Sequence, residues 1–367
     1  MPPVHKRYIL ILASLLLAVP AHAQIDADVQ SQADRLFTDP GPLAETRALL
    51  IVQDGEPVYE RYREGYDAEQ RHVSWSMAKS ITSAIVGHLV QRGLVDIDDP
   101  MPGPFPKGDP RAALTWHHYL TMTDGLDYTE IVEEDVELPL SEQDVVQMMY
   151  GSGRFDVIAW IMDNVPAFHE PGTRWNYSTA GYHLLGHAIQ DVIGTSADPE
   201  ATTAWLRANI FAPLGMDSAV PEYDAAGTFL GGSLVYATAR DFARFGQLYL
   251  DDGRLPDGTR FLPEGWVAYA RTGEVGDDHN IYGAGFWPSV ESPTAERSKM
   301  SAPFDAFHAG GHEGQTIWIV PSRNLVTVRL GLMPNSPESW SALFEANQAI
   351  ARGFADVGLN ADAVPAR

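Results

Sequence analysis

Cysteine is absent from all 367 residues of the chain. Disulfide bonds, thiol nucleophiles and thiolate metal sites are therefore excluded, and so is lipid attachment through an N-terminal cysteine. An oxidising compartment poses no hazard to the folding of such a chain. Internal repeats and low-complexity linkers are also missing, so the sequence gives no indication of several independently folding domains.

Basic residues are few, with 25 Lys and Arg against 49 Asp and Glu, and the formal net charge is −24. A surface this acidic repels phosphate backbones and anionic lipid headgroups. Nucleic-acid binding and membrane-surface roles are therefore disfavoured as functions. The expected partner is a small-molecule substrate.

The first 23 residues have the pattern of a cleavable signal peptide. Lys6 and Arg7 precede an apolar run over residues 8–19, and small residues follow at 21–23. The run is shorter than the ~20 residues that a bilayer-spanning helix needs. We expect an exported protein, periplasmic or secreted, whose mature chain begins near Gln24 and has no stable membrane insertion.

Strand patterns lie near both ends of the remaining chain. Residues 48–63 contain two β-runs joined at Asp54-Gly55, a strong hairpin signal, and residues 315–320 and 325–330 give a second hairpin. The sequence predicts one antiparallel sheet built from both chain ends and flanked by helices, an α/β (α+β) fold. A lead-in at 24–47 precedes a single domain at 48–367, with an inserted, mainly helical region at about 98–285.

Lysine is rare, and one lysine stands out by its position. Apolar residues recur at helical spacing over residues 74–93, which predicts a helix with one buried face that contains Lys79. Ser76 lies three residues earlier, on the same side of the helix. A lysine kept neutral by burial can take the proton of a serine hydroxyl, and the helix start can stabilise an oxyanion. Alternatively, Ser76 caps the helix and Lys79 extends to solvent.

Two motifs resemble those of serine β-lactamases and penicillin-binding proteins, most closely the class C branch. Ser-Met-Ala-Lys-Ser at 76–80 is similar to the nucleophile motif of that family. The segment at 171–185, which contains Asn-Tyr-Ser-Thr at 176–179, resembles the family's second motif, usually Tyr-x-Asn. The resemblance implies that Tyr177 shuttles a proton between Ser76 and the leaving group, with its pKa lowered by Lys79.

A third motif, Gly-Gly-His-Glu-Gly-Gln at 310–315, takes the place of the family's Lys-Thr-Gly. The resemblance implies that the N–H groups of Ser76 and Gln315 form the oxyanion hole. It also implies a β-lactamase/DD-peptidase-like fold over about residues 48–332. The substrate-binding residues implied in this way are Thr179, His312, Glu313 and Gly314.

Departures from the family pattern bear on the substrate. Thr179 replaces the asparagine of Tyr-x-Asn, and His312-Glu313 replaces the pair that binds the β-lactam carboxylate. The sequence is therefore closer to the family's esterases and aminohexanoate-dimer hydrolases, and we expect ester or amide cleavage. β-Lactamase or D-Ala-D-Ala carboxypeptidase activity is the alternative enzyme function, and a non-catalytic sensor is the alternative of another class. The natural substrate and the oligomeric state stay open.

Neither a metal nor another cofactor is expected. His183 and His187 have the spacing of a zinc site, but the segment between them lacks the glutamate of His-Glu-x-x-His. The acidic run at 130–135 lacks the ligand pattern of a calcium loop and is predicted to be a solvated loop. No Gly-x-Ser-x-Gly elbow occurs, which argues against the α/β-hydrolase fold.

Overall fold

The computed structural model describes residues 25–130, 138–273, 282–288 and 305–358. The expected signal peptide at 1–23 lies outside the described residues. Within the described ranges, no helix combines the length and the apolar character needed to cross a membrane.

The helices are α1 (Ala27–Thr38), α2 (Met77–Gln91), α3 (Trp116–Leu120), α4 (Asp144–Met149), α5 (Val157–Asn164), α6 (Thr179–Ile193), α7 (Pro199–Leu206), α8 (Ala239–Leu250), α9 (Trp266–Ala270) and α10 (Pro337–Arg352). The strands are β1 (Glu45–Gln53), β2 (Glu56–Tyr62), β3 (His72–Val73), β4 (Val220–Pro221), β5 (Val235–Ala237), β6 (Trp287–Pro288), β7 (Phe307–Gly311), β8 (Gln315–Val320) and β9 (Leu325–Leu332).

The main sheet has the strand order β2-β1-β9-β8-β7-β6, with every neighbouring pair antiparallel. Strand β1 pairs with β9 along its whole length, from Glu45 opposite Leu332 to Gln53 opposite Leu325. The two ends of the chain therefore share one sheet, as the sequence predicts. A small second sheet has the order β3-β5-β4.

Both predicted hairpins are confirmed. Asp54 and Gly55 join β1 to β2 with φ values of 52° and 79°. Positive φ at both central residues is the geometry of a type I′ turn, whose twist matches that of the flanking strands. A short 3₁₀ turn and Asn324 at φ 48° join β8 to β9.

The sheet buries both of its faces. Along β1, Ala48, Leu50 and Val52 belong to a large core that includes α2 and α8, whereas Leu49 and Ile51 face a smaller core with α1 and α10. The alternation follows from the two-residue period of a strand. Because both faces are covered, β1 is apolar without interruption from Ala48 to Val52.

Helix α2 lies deeper than predicted. Every residue from Met77 to Gly87 is buried, so the expectation of a single buried face is wrong. The helix is enclosed because it packs against α6 on one side and β7 and β8 on another. Apart from β4 and β5, the regular elements described between residues 98 and 273 are helices.

Candidate active site

Ser76 lies at the N-cap position of α2, with φ −64° and ψ −8°. Its side chain makes no capping hydrogen bond, so the hydroxyl is not used to satisfy the helix end. Instead, Ser76 Oγ lies 3.0 Å from Lys79 Nζ. The three-residue spacing on one helix places the two groups in direct contact.

Lys79 is fully buried and does not reach solvent. Its ammonium donates to three acceptors: Ser76 Oγ at 3.0 Å, Thr179 Oγ1 at 2.7 Å and the Gly232 carbonyl at 2.8 Å. Burial lowers the pKa of Lys79 from 10.5 to about 8, and the charge of Glu130 opposes this shift. A lysine with such a pKa can both give up and accept a proton near neutral pH.

Tyr177 lies on the loop that leads into α6, with Lys79 Nζ 4.8 Å from the centroid of its ring. Burial and then the charge of Glu130 raise the pKa of Tyr177 to well above its usual value of 10, and the nearby Ser76 hydroxyl opposes this rise only in part. The expectation that Lys79 lowers this pKa is wrong, because removal of the phenol from water disfavours the tyrosinate.

Strand β7 ends against the turn that carries Ser76. A Cβ atom at Gly311 would overlap the carbonyl oxygen of Ser74 and come within 3.3 Å of the Met77 nitrogen. Glycine allows this close approach of two backbones. Gln315 begins the neighbouring strand β8, and its side-chain amide bonds to the backbone N–H and carbonyl of Gly331. Gly311 at the end of β7 therefore lies in close contact with the turn that carries Ser76.

The turn between β7 and β8 holds His312, Glu313 and Gly314. The His312 ring meets the Trp75 indole edge-on at 5.6 Å, and Trp75 Nε1 donates to Glu313 Oε2 at 3.4 Å. Glu313 has φ 61°, a left-handed conformation that is rare for glutamate. The buried Arg329 donates to the carbonyls of Glu313 and Gly314, which fixes this turn next to the nucleophile.

Thr179 is buried. Its hydroxyl lies between Lys79 and Glu130, at 2.7 Å and 2.8 Å. Glu130 therefore belongs to the site, whereas the sequence predicted a solvated loop for the acidic run; residues 131–137 lie outside the described residues. Sequence reasoning missed Glu130 because an acidic residue in an acidic run has no distinguishing pattern.

Aromatic rings surround Tyr177. Trp287 of β6 stacks on the phenol with centroids 5.5 Å apart, and the rings of Trp175 and Tyr282 lie within 6.3 Å of it. Trp175 lies inside the second motif, two residues before Tyr177, but the sequence analysis assigned it no role. No sequence pattern marked Trp287 or Tyr282, because only tertiary contacts bring these rings next to Tyr177.

The two histidines with zinc-like spacing point to separate partners. His183 is buried, and its Nδ1 accepts from the Gly232 N–H at 3.3 Å. His187 Nε2 lies 3.6 Å from Asp191 on the same helix. Within the described ranges, no group of three or more His, Asp or Glu side chains is arranged to hold a metal ion.

The chain is similar to known proteins both in sequence and in fold. A 6-aminohexanoate-dimer hydrolase of Paenarthrobacter ureafaciens is 26% identical over 298 residues, which span 79% of this chain and 73% of the relative. Among solved structures, a putative 6-aminohexanoate-dimer hydrolase from Bacillus anthracis superposes with a TM-score of 0.65 at 23% identity, covering 84% of this chain and 79% of that one.

A class C beta-lactamase mutant superposes with a TM-score of 0.64 at 14% identity, covering 90% of this chain and 99% of that one. At this identity the likeness concerns the fold alone. Residues 44–339 match the beta-lactamase family, a span that includes the Ser76–Lys79 pair, Tyr177 and the turn after β7. The chain therefore belongs to the beta-lactamase family of hydrolases.

Proposed function

We propose that this protein is an exported serine hydrolase that cleaves ester or amide bonds through an acyl-enzyme on Ser76. The observation that carries the proposal is the contact of Ser76 Oγ with Lys79 Nζ at 3.0 Å, next to the Tyr177 phenol. A nucleophile, a base of lowered pKa and a second proton-handling group thus meet at one point. The convergence joins α2 to the loop before α6, which is remote from α2 in sequence.

In the proposed acylation step, neutral Lys79 takes the proton of Ser76 as Oγ attacks the substrate carbonyl. The bond to the leaving group then breaks, and the phenol of Tyr177 donates the proton that the leaving group needs. Tyr177 recovers a proton from the ammonium of Lys79. A raised pKa suits this role, because it keeps Tyr177 in the phenol form that can donate. Water releases the acyl group by the reverse transfers.

For the oxyanion hole we propose the backbone N–H groups of Ser76 and His312, in place of the Gln315 expected from sequence. This assignment is supported by the close approach of Gly311 to Ser74 and Met77, which leaves His312 as the first residue beyond the contact. The His312 ring against Trp75 keeps this residue next to the nucleophile. Removal of a single oxyanion-hole donor from a serine hydrolase costs about 10²–10³ in kcat.

For the substrate we propose an uncharged or cationic acyl group, as in short-chain aryl esters or amide oligomers of aminohexanoate type. The relative from Paenarthrobacter ureafaciens supports the amide assignment by its name. The partly buried carboxylate of Glu313 beside Trp75 disfavours a substrate that carries a carboxylate at this position.

A fluorophosphonate probe tests the nucleophile. We expect the wild type to be labelled stoichiometrically and Ser76→Ala to be unlabelled and inactive on p-nitrophenyl esters, while Ser80→Ala serves as the neighbouring serine control and stays labelled. Multiple-turnover ester cleavage supports the hydrolase, and single-turnover labelling without it supports a sensor. Labelling that persists in Ser76→Ala contradicts the proposal.

Export is tested separately. Expression of the full chain in a Gram-negative host should yield periplasmic or secreted protein whose N-terminal residue, determined by mass spectrometry, is at or near Gln24. Full-length protein retained in the cytoplasm contradicts the proposed signal peptide.

A further inference from the structure

We propose that Glu130 is a positioning residue for Lys79 that acts through the hydroxyl of Thr179, and that Thr179 serves this connection instead of contacting the substrate. The inference rests on the proposed function, because it assigns Glu130 and Thr179 a part in preparing the base. It changes the role that the family resemblance implies for Thr179.

The directions of the hydrogen bonds follow from their chemistry. A lysine ammonium has three protons and no acceptor, and Lys79 Nζ has three oxygen neighbours at 2.7–3.0 Å. Thr179 Oγ1 must therefore accept from Lys79, and its own proton points to Glu130 Oε1 at 2.8 Å. The chain from ammonium to hydroxyl to carboxylate is continuous.

Glu130 also holds the start of α6. Its second oxygen, Oε2, accepts from the backbone N–H of Thr179 at 2.8 Å, where Thr179 is the first residue of that helix. A carboxylate at a helix N-terminus satisfies an unpaired N–H and meets the positive end of the helix dipole. One side chain thus fixes the Thr179 hydroxyl in both position and orientation, two residues from Tyr177.

Burial makes this connection strong. Lys79 and Thr179 are both withdrawn from solvent, so an unpaired charge on Lys79 would be costly. The charge of Glu130 raises the pKa of Lys79 against the lowering by desolvation. Without Glu130, the base should lose its proton at lower pH and its amine should be less firmly oriented toward Ser76.

The other titratable groups around Lys79 do not replace Glu130. Burial raises the pKa of Tyr177 and Tyr182, so both stay neutral, and burial lowers the pKa of His183 to about 3, so this ring stays neutral as well. Burial also raises the pKa of titratable groups in the neighbourhood of Glu130. These groups are the phenols of Tyr128 and Tyr282 and the carboxyl of Asp144. In the described part of the chain, Glu130 is the negative charge that acts on Lys79.

Three variants test whether Thr179 and Glu130 act through the hydrogen bonds to Lys79 or only through their shape. Thr179→Val keeps the shape and removes the hydroxyl, Thr179→Ser keeps the hydroxyl, and Glu130→Gln keeps the shape and removes the charge. We expect Thr179→Val and Glu130→Gln to lower kcat by about tenfold or more and to move the midpoint of the pH profile down by about one unit. Thr179→Ser should keep the wild-type midpoint and most of kcat.

The split between KM and kcat decides the role of Thr179. A raised KM with unchanged kcat in Thr179→Val would make Thr179 a substrate contact and overturn the proposal. Equal losses in Thr179→Ser and Thr179→Val would do the same, because they would point to the β-branched shape and not to the hydroxyl. If the midpoint of the pH profile is the same in Glu130→Gln as in the wild type, Glu130 does not act on Lys79 and the proposal is wrong.

Direct titration of Lys79 provides a readout that does not depend on turnover. Beyond the expected signal peptide the chain has three lysines, Lys79, Lys107 and Lys299, so the ε-carbon resonances of ¹³C-lysine-labelled protein can be assigned with Lys79→Arg. The Lys79 resonance should titrate at lower pH in Glu130→Gln than in the wild type. If Ser76 proves not to be acylated, the proposed function fails while this comparison still decides the role of Glu130.

Discussion

The indole of Trp287 stacks on the phenol ring of Tyr177, with centroids 5.5 Å apart and planes inclined by 19°. Stacked aromatic pairs contribute about 0.5–1.5 kcal/mol beyond the area that they bury. If the whole contribution acts on the orientation of the phenol, Trp287→Ala should lower kcat by up to about tenfold. Trp287→Phe, which keeps a ring, should lose less. Steady-state kinetics on a p-nitrophenyl ester measure both, and equal kcat in wild type and Trp287→Ala would show that the stack does not orient Tyr177.

Activity should rise with pH through the pKa of Lys79. Burial lowers this pKa to about 8, and the base must be neutral to accept the Ser76 proton. We therefore expect kcat/KM to increase between about pH 7 and pH 9 and then to level off, after correction for spontaneous ester hydrolysis. A profile that is flat over this range contradicts Lys79 as the base.

Lys79→Arg should abolish turnover although it keeps the charge, because arginine does not give up its proton in proteins. The expected loss is at least 10²-fold in kcat, the lower end of what general base catalysis contributes. Retained turnover would remove Lys79 from the proton transfers. Fluorophosphonate labelling of Ser76 in this variant should slow in parallel.

The two adjacent glycines of β7 provide a matched pair. A Cβ at Gly311 overlaps the Ser74 carbonyl, whereas a Cβ at Gly310 meets nothing closer than the Trp287 ring at 3.4 Å. Gly311→Ala should lower the free energy of unfolding by about 1–3 kcal/mol, as overpacking does, and impair labelling of Ser76. Gly310→Ala should have a smaller effect on both. Urea denaturation compares them, and equal losses would contradict the close approach of β7 to α2.

Substrate preference should depend on Glu313. We expect the wild type to cleave short-chain aryl esters better than the anionic cephalosporin nitrocefin, because the Glu313 carboxylate lies beside Trp75. Glu313→Gln should raise the ratio of nitrocefin to ester kcat/KM severalfold, more at low ionic strength than at high. A wild type that prefers nitrocefin would reverse the substrate ranking.

The buried Asp124 should make stability depend on pH. Burial raises the pKa of Asp124 to about 7, and Oδ1 accepts from the Leu126 N–H. Because the folded-state pKa lies above the unfolded value of about 3.9, this group stabilises the fold below pH 4 and loses that contribution as pH rises to about 7. The free energy of unfolding of Asp124→Asn relative to wild type should therefore increase between pH 4 and pH 8, by roughly 4 kcal/mol at most. A difference that does not change with pH contradicts the raised pKa.

The features that depend on local sequence were predictable. Asp54 and Gly55 favour a tight turn and so predicted the hairpin of β1 and β2. Strand periodicity indicated the sheet built from both chain ends. Ser76 and Lys79 could be paired from sequence alone, because three residues on one helix are neighbours in space. Family resemblance added Tyr177, since its motif is specific even though the loop that positions it is not periodic.

Tertiary structure decided what no local pattern encodes. The depth at which Lys79 and Tyr177 are buried lowers the pKa of the lysine and keeps the tyrosine a phenol, and burial is a property of the assembled core. Glu130 bonds to Thr179 across 49 residues of sequence and reaches Lys79 through it. Trp287 reaches Tyr177 only because β6 joins the sheet beside β7. The sequence thus determined which chemical groups the chain carries and how they pair within a helix or hairpin, whereas the distances, protonation states and supporting side chains of the site arise from contacts between elements that are remote along the chain.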